Sequence, residues 1–379
     1  MRPRTQAARA ARLYYLDYLR AGVVALVFLH HTAITYGASG SWYFYDAAGV
    51  SGPIKGLLTV FAAFNQSWFM ALLFFISGYL ALASYNRKGP WRYVADRLRR
   101  FGIPLLVYAF VISPVTVWLA QLTNAGHPSL LTVYSQQRPF GFGVLWFVEA
   151  LLIMDLLLVA WASWLRRGDL TARSARSFPR NAALVAFVFI LGLASFAVRL
   201  GMPLGTTFAG LLIGYFPSYI AMFVLGIVAW RARWLDAIAG NAVALSRWLL
   251  IAGTLMVPVW LLGGGSGDAG ARFAGGLHWQ ALVLAVWEQD MLAGMSITLL
   301  AWGRRRLNQP SRRWQGWAGA SYLAYIIQPL IIVSAALAFT GLAWPALIKL
   351  LVVGTISVTA IYVVARVLRL VPVVRNVVG

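Results

Sequence analysis

Apolar stretches of about twenty residues, each broken by Gly, Pro or a cluster of charge, recur from one end of the chain to the other. No other feature constrains the fold as strongly. A bilayer core roughly 30 Å thick is crossed by a helix of about 20 apolar residues, and only helices or closed barrels satisfy their backbone hydrogen bonds there. Ten spans are predicted, at roughly 13–36, 56–84, 101–122, 143–165, 181–199, 207–230, 246–263, 277–302, 318–340 and 343–368. The expectation is an all-α, polytopic integral membrane bundle that forms one domain over residues 1–379. A composition 61% hydrophobic and only 11% charged leaves no soluble domain of useful size. No small-residue cleavage pattern follows the first run, so it is expected to stay as the first helix and not to be removed as a signal peptide.

A net charge of +22 would suggest nucleic acid in a soluble protein, but its distribution points elsewhere. Of the 32 Lys and Arg residues, 26 fall in the N-terminal tail, in alternate inter-span segments and at the C-terminal end. Lys55, Arg138, Arg199, Arg272 and Lys349 fall on or near the other side, and Arg20 lies inside the first span. Such asymmetry places both termini in the cytoplasm, with membrane lipid headgroups as the partner of most arginines and no call for nucleic acid. Without cysteine there is no thiolate nucleophile, disulfide framework or Cys-based metal site, and no metal is expected.

Several spans carry residues that do not belong in hydrocarbon. In LDYLRAGVVALVFLHHTAITYG, Arg20 and His31 are eleven residues apart, which returns to within about 20° of the same helix face after a climb of roughly 16 Å. Asp17 and Thr35 lie within about 40° of His31, and His30 points about 80° away from Arg20. Charge in lipid normally faces a protein interior or a wet cavity. Asp17 and Arg20 can equally anchor the helix end, with both histidines hydrogen-bonded in the bundle. The second span holds Asn65, Gln66, Ser67, Ser77 and Gly78, the last suited to close helix packing. The fourth holds Trp146, Glu149 and Asp155, and the eighth reads WEQD from Trp287 to Asp290. In the ninth, Ser321, Tyr325 and Gln328 recur at helical spacing before Pro329. Five polar stripes in one bundle imply an aqueous or ligand-filled interior. Between the second and third spans, Arg92, Arg97, Arg99 and Arg100 suit either positive-inside anchoring or a multiply charged phosphate ligand.

In these residues the chain resembles the acyltransferase-3 family of integral membrane acyltransferases, whose bacterial members include O-acetylases of surface polysaccharides and the succinyltransferase of periplasmic glucans. The family's Arg/Lys-x10-His signature is matched by Arg20 and His31, and its Arg-x-x-Arg element by Arg97 and Arg100 ahead of Ile103-Pro104. FFISG (Phe74 to Gly78), GVLWF (Gly143 to Phe147) and SYLAY (Ser321 to Tyr325) match further elements in the family's order. One departure is Gln328, where many members place His before the proline; an amide cannot exchange a proton near neutral pH.

The resemblance implies transfer of an acyl group, acetyl or succinyl first, from cytoplasmic acyl-CoA to a hydroxyl of a glycan or small-molecule acceptor, in a bacterial inner membrane. His31 would be the general base or a transient acyl carrier, Arg20 would hold a donor phosphate or the thioester end, and Asp17 would orient Arg20. Arg97, Arg99 and Arg100 would bind the nucleotide phosphates of CoA; Ser77, Trp146, Glu149, Tyr325 and Gln328 would line the acceptor pocket. The main competitor is a transporter or exporter that uses Asp17, Glu149, Glu288 and Asp290 as an ion path. A third possibility is a structural or lipid-scrambling membrane partner.

Overall fold

Every backbone donor and acceptor within a bilayer needs an internal partner, and long helices supply it here. The computed structural model describes residues 13–123, 128–136, 141–164, 174–262 and 268–378. Among the described residues nine helices are long and apolar enough to cross a membrane. They are α1 (Tyr14–Thr35), α2 (Gly52–Lys88), α3 (Pro90–Ala120), α4 (Gly143–Trp164), α5 (Asn181–Gly201), α6 (Ile213–Ala232), α8 (Trp279–Arg306), α9 (Arg312–Ala338) and α10 (Ala346–Leu368). The remaining expected span, 246–263, falls on α7 (Gly240–Leu262); residue 263 and several side chains near that end lie outside the described residues. So do Arg2, Arg4, Arg9, Arg12, Arg138, Arg166, Arg167 and Arg173, on which the charge asymmetry partly rests.

Two boundaries differ from hydropathy, each for a local reason. Helix α2 runs from Pro53 in its first turn to a stop at Gly89, whose φ of +74° favours glycine. Helix α3 begins eleven residues before the apolar run, because PWRYVADR is helical but too polar for a hydropathy window to register. Further along α3, π-helical turns at Leu98–Gly102 and Tyr108–Ile112 accompany Pro104 and Pro114. Proline lacks the N–H that residue i−4 would receive. The two freed carbonyls are taken by tyrosines: Tyr322 donates to the Arg100 carbonyl at 2.7 Å, and Tyr134 to that of Phe110 at 2.6 Å.

Helices α1, α2 and α9 form the centre, with 67%, 78% and 67% of their apolar windows buried, against 28% for α5. Close contact between α2 and α6 depends on small residues. A Cβ on Gly78 would collide with the Phe223 carbonyl, and one on Gly226 with that of Phe75. The predicted packing role of Gly78 is therefore what the structure assigns it. Helix α1, flanked by α2, α8, α9 and α10, carries its polar stripe through the middle of the bundle.

Candidate active site

At one end of α1, Asp17 and Arg20 form an ion pair of 3.0 Å across one helical turn. They open onto a cavity of about 80 Å³ lined also by Tyr18, Gln315, Ala318 and Gly319. Gly319 leaves room for a guanidinium: a Cβ there would come within 2.6 Å of Arg369 Nη1. The Arg20 end of the helix is thus concave, cationic and polar.

At the other end His31 is half-buried, and its Nδ1 lies 3.0 Å from Gln328 Oε1. An amide oxygen only accepts, so the imidazole donates through Nδ1–H. A neutral ring then keeps its Nε2 lone pair free, the form a general base requires. Pro329 follows Gln328 inside α9, so the helical donor to the Tyr325 carbonyl is missing beside this contact. Trp42 stacks on the imidazole, with centroids 4.1 Å apart and planes 15° from parallel. It belongs to the loop between α1 and α2, which is strapped down at two points. The Asp46 N–H donates to the Thr35 carbonyl at 2.8 Å, and Lys349 on α10 meets the Asp46 carboxylate at 2.6 Å. Next to Trp42, the Tyr43 hydroxyl lies 2.6 Å from that of Tyr108, and burial raises the Tyr43 phenol so that it stays protonated. His30 is buried instead against Phe69, with ring centroids at 5.1 Å.

The other predicted residues fall into two groups. Tyr325, one turn before Gln328, donates to the Val144 carbonyl and packs edge-on against Phe147 at 6.1 Å. Trp146 stacks on Tyr219 at 5.4 Å, and Tyr219 accepts from Gln66 at 3.1 Å. These contacts join α2, α4, α6 and α9 in one aromatic wall; Ser77 and Glu149 are half-buried. The arginines separate. Arg97 is committed inward, paired with Asp155 at 2.9 Å and lying over the Tyr93 ring at 4.6 Å, while Tyr93 donates to the same carboxylate at 2.5 Å. Arg99 is exposed and Arg100 half-buried.

Sequence reasoning missed Trp42, which lies in the loop between the first two predicted spans and in none of the matched motifs. It placed Arg199 and Lys349 on or near the opposite side without seeing that they are paired. Both are internal: Arg199 is fully buried and paired with Glu288, and Lys349 is paired with Asp46. Of the four acidic residues of the transporter reading, Asp17 and Glu288 are thereby held in ion pairs.

A family model described as an acyltransferase domain matches residues 13–366, nearly the whole chain. The chain belongs to the acyltransferase-3 family. As a member it is a multi-pass membrane acyltransferase. The chain is also similar to glucans biosynthesis protein C of Salmonella schwarzengrund (strain CVM19633), 25% identical with 84% of this chain and 82% of that protein covered. The proteins of the same name from Salmonella typhi and Salmonella typhimurium match at the same identity and coverage. No solved structure matches. The acyltransferase-3 signature thus falls on a single central helix, with its cation beside a cavity at one end and its imidazole in the protein interior at the other.

Proposed function

We propose that this acyltransferase moves an acyl group, acetyl or succinyl first, from cytoplasmic acyl-CoA to a hydroxyl of a glycan or other extracytoplasmic acceptor. In this reading it sits in a bacterial inner membrane with both termini cytoplasmic. The CoA donor enters at the Arg20 end, where Arg99 and Arg100 meet its nucleotide phosphates and Arg20, oriented by Asp17, holds a phosphate or the thioester end. Arg97, committed to Asp155, contributes chiefly by fixing the π-helical turn that presents its neighbours. The pantetheine arm then spans the roughly 16 Å between Arg20 and His31. There His31 takes the acceptor's proton at Nε2 as its oxygen attacks the thioester; direct transfer needs no acyl-His31 intermediate. Ser77, Trp146, Glu149 and Tyr325 belong to the acceptor side. Gln328 orients the base, which is a role an amide performs as well as a second histidine would.

The observation that carries this reading is the 3.0 Å contact between His31 Nδ1 and Gln328 Oε1 inside the bundle, on the helix that also bears Arg20. The name of the glucans biosynthesis relatives supports a glycan acceptor. A direct test compares glycans and lipids extracted from cells with the wild-type chain, with His31→Ala and with no copy. Acyl esters present only with the wild type are expected; the same esters with His31→Ala would refute the assignment.

A further inference from the structure

Two buried donors adjoin His31 without a partner among the described residues: the indole N–H of Trp42, whose ring stacks on the imidazole, and the Gln328 side-chain NH2 at the Nδ1 edge. Trp42 is 9% exposed and Gln328 fully buried, so bulk water does not satisfy them. Buried donors are normally paired, and an orphan calls for a reason. Stacking alone does not require an indole, since a phenyl ring would cover His31 as well. Holding Nδ1–H requires only the amide oxygen of Gln328. Both side chains therefore carry a donor beyond what their contacts with His31 use. Fixed N–H donors beside a general base are what acyl transfer needs, because negative charge gathers on the carbonyl oxygen as the tetrahedral intermediate forms.

We propose that Trp42 Nε1–H stabilises the oxyanion of the donor thioester, the Gln328 NH2 at the Nδ1 edge being too far from Nε2 to share it; the inference rests on the acyltransferase reading above. The acceptor hydroxyl oxygen bonds to the thioester carbon while its proton passes to His31 Nε2. The carbonyl π pair moves onto oxygen, which the indole N–H holds. Collapse re-forms the carbonyl and breaks the carbon–sulfur bond. The thiolate takes the proton back from His31, which gives an ester, free CoA and a neutral imidazole. The loop strap from Asp46 to Lys349 keeps Trp42 in place while charge develops.

The test is Trp42→Phe, which keeps an aromatic face and removes the donor. In proteoliposomes with acetyl-CoA or succinyl-CoA and glucan oligosaccharides, kcat is expected to fall about a hundredfold, with the KM for the donor unchanged. A second readout is binding of a CoA analogue whose thioester is replaced by a trifluoromethyl ketone, which adds water to give a tetrahedral gem-diol that mimics the intermediate. Trp42→Phe is expected to weaken that analogue and leave free CoA untouched, a ratio that stays readable on the folded fraction if the variant is less stable. Wild-type kcat in Trp42→Phe, or equal weakening of analogue and CoA, overturns the oxyanion hole while leaving the acyltransferase reading intact. A wild-type protein that transfers nothing from either donor overturns both.

Discussion

His31 and Gln328 meet between two helices, and so do Arg199 and Glu288, yet the two buried contacts have opposite chemistry. The second is balanced in charge. Arg199 pairs with Glu288, donates through Nε to the Gly214 carbonyl at 3.0 Å and lies over the Tyr215 ring at 5.2 Å. Charge buried in an apolar bundle is tolerable only when answered by opposite charge in good geometry. The first contact is neutral and incomplete: one hydrogen bond is made, and an imidazole lone pair and an amide NH2 remain. A charge-paired contact holds helices together, even with Arg199 Nη1 unpartnered among the described residues; a neutral one with a free base nitrogen leaves a group available to a reacting molecule. On that difference rests the proposal of chemistry at His31 and architecture at Arg199.

The largest effect that sharpens the contrast is expected from His31→Ala. Loss of a general base lowers acyl transfer by about 10²–10⁴-fold, while the melting temperature of the purified protein stays near the wild-type value. Arg199→Ala should do the reverse. It leaves the Glu288 carboxylate buried without its partner and lowers stability by about 3–5 kcal/mol, read by denaturation in detergent, with the folded fraction retaining its kcat. Replacing both members, Arg199→Met with Glu288→Leu, should recover most of that loss, because an apolar pair of similar volume avoids the burial of charge. If the double variant is as unstable as the single one, the pair does more than hold helices together.

Next in size is Gln328→Ala. Removing the group that fixes the His31 tautomer should lower kcat by about tenfold to a hundredfold and broaden its pH dependence, with Gln328→Asn failing to rescue because the shorter side chain does not reach Nδ1. The smallest effect is expected from Asp17→Asn. The Arg20 side chain is 37% exposed, so the pair contributes about 1 kcal/mol or less to stability. A larger destabilisation would mean that the Arg20 end is architectural like Arg199, and the contrast between the two ends of α1 would fail.

Much of this was legible in the sequence because it is local. Hydropathy found the spans, helical spacing put Arg20 and His31 on one face, and the order of the short motifs indicated the family. The remainder depends on contacts between distant residues. Gln328 lies 297 residues from His31, and no spacing rule joins them. Trp42 sits in a loop whose path is fixed by Asp46 and by Lys349, 303 residues further on. Arg199 looked like a boundary charge because its partner is on another helix. Arg97 matched a phosphate-binding motif, but Asp155, read only as an oddity in an apolar helix, claims its guanidinium.

Proteoliposomes loaded with radiolabelled acetyl-CoA or succinyl-CoA on the cytoplasmic side and glucan oligosaccharides on the other test the central claim most directly. Wild-type protein should move label onto the oligosaccharide, and His31→Gln should reduce transfer to background while binding CoA as tightly as the wild type. Transfer by His31→Gln at the wild-type rate would contradict the assignment of the base.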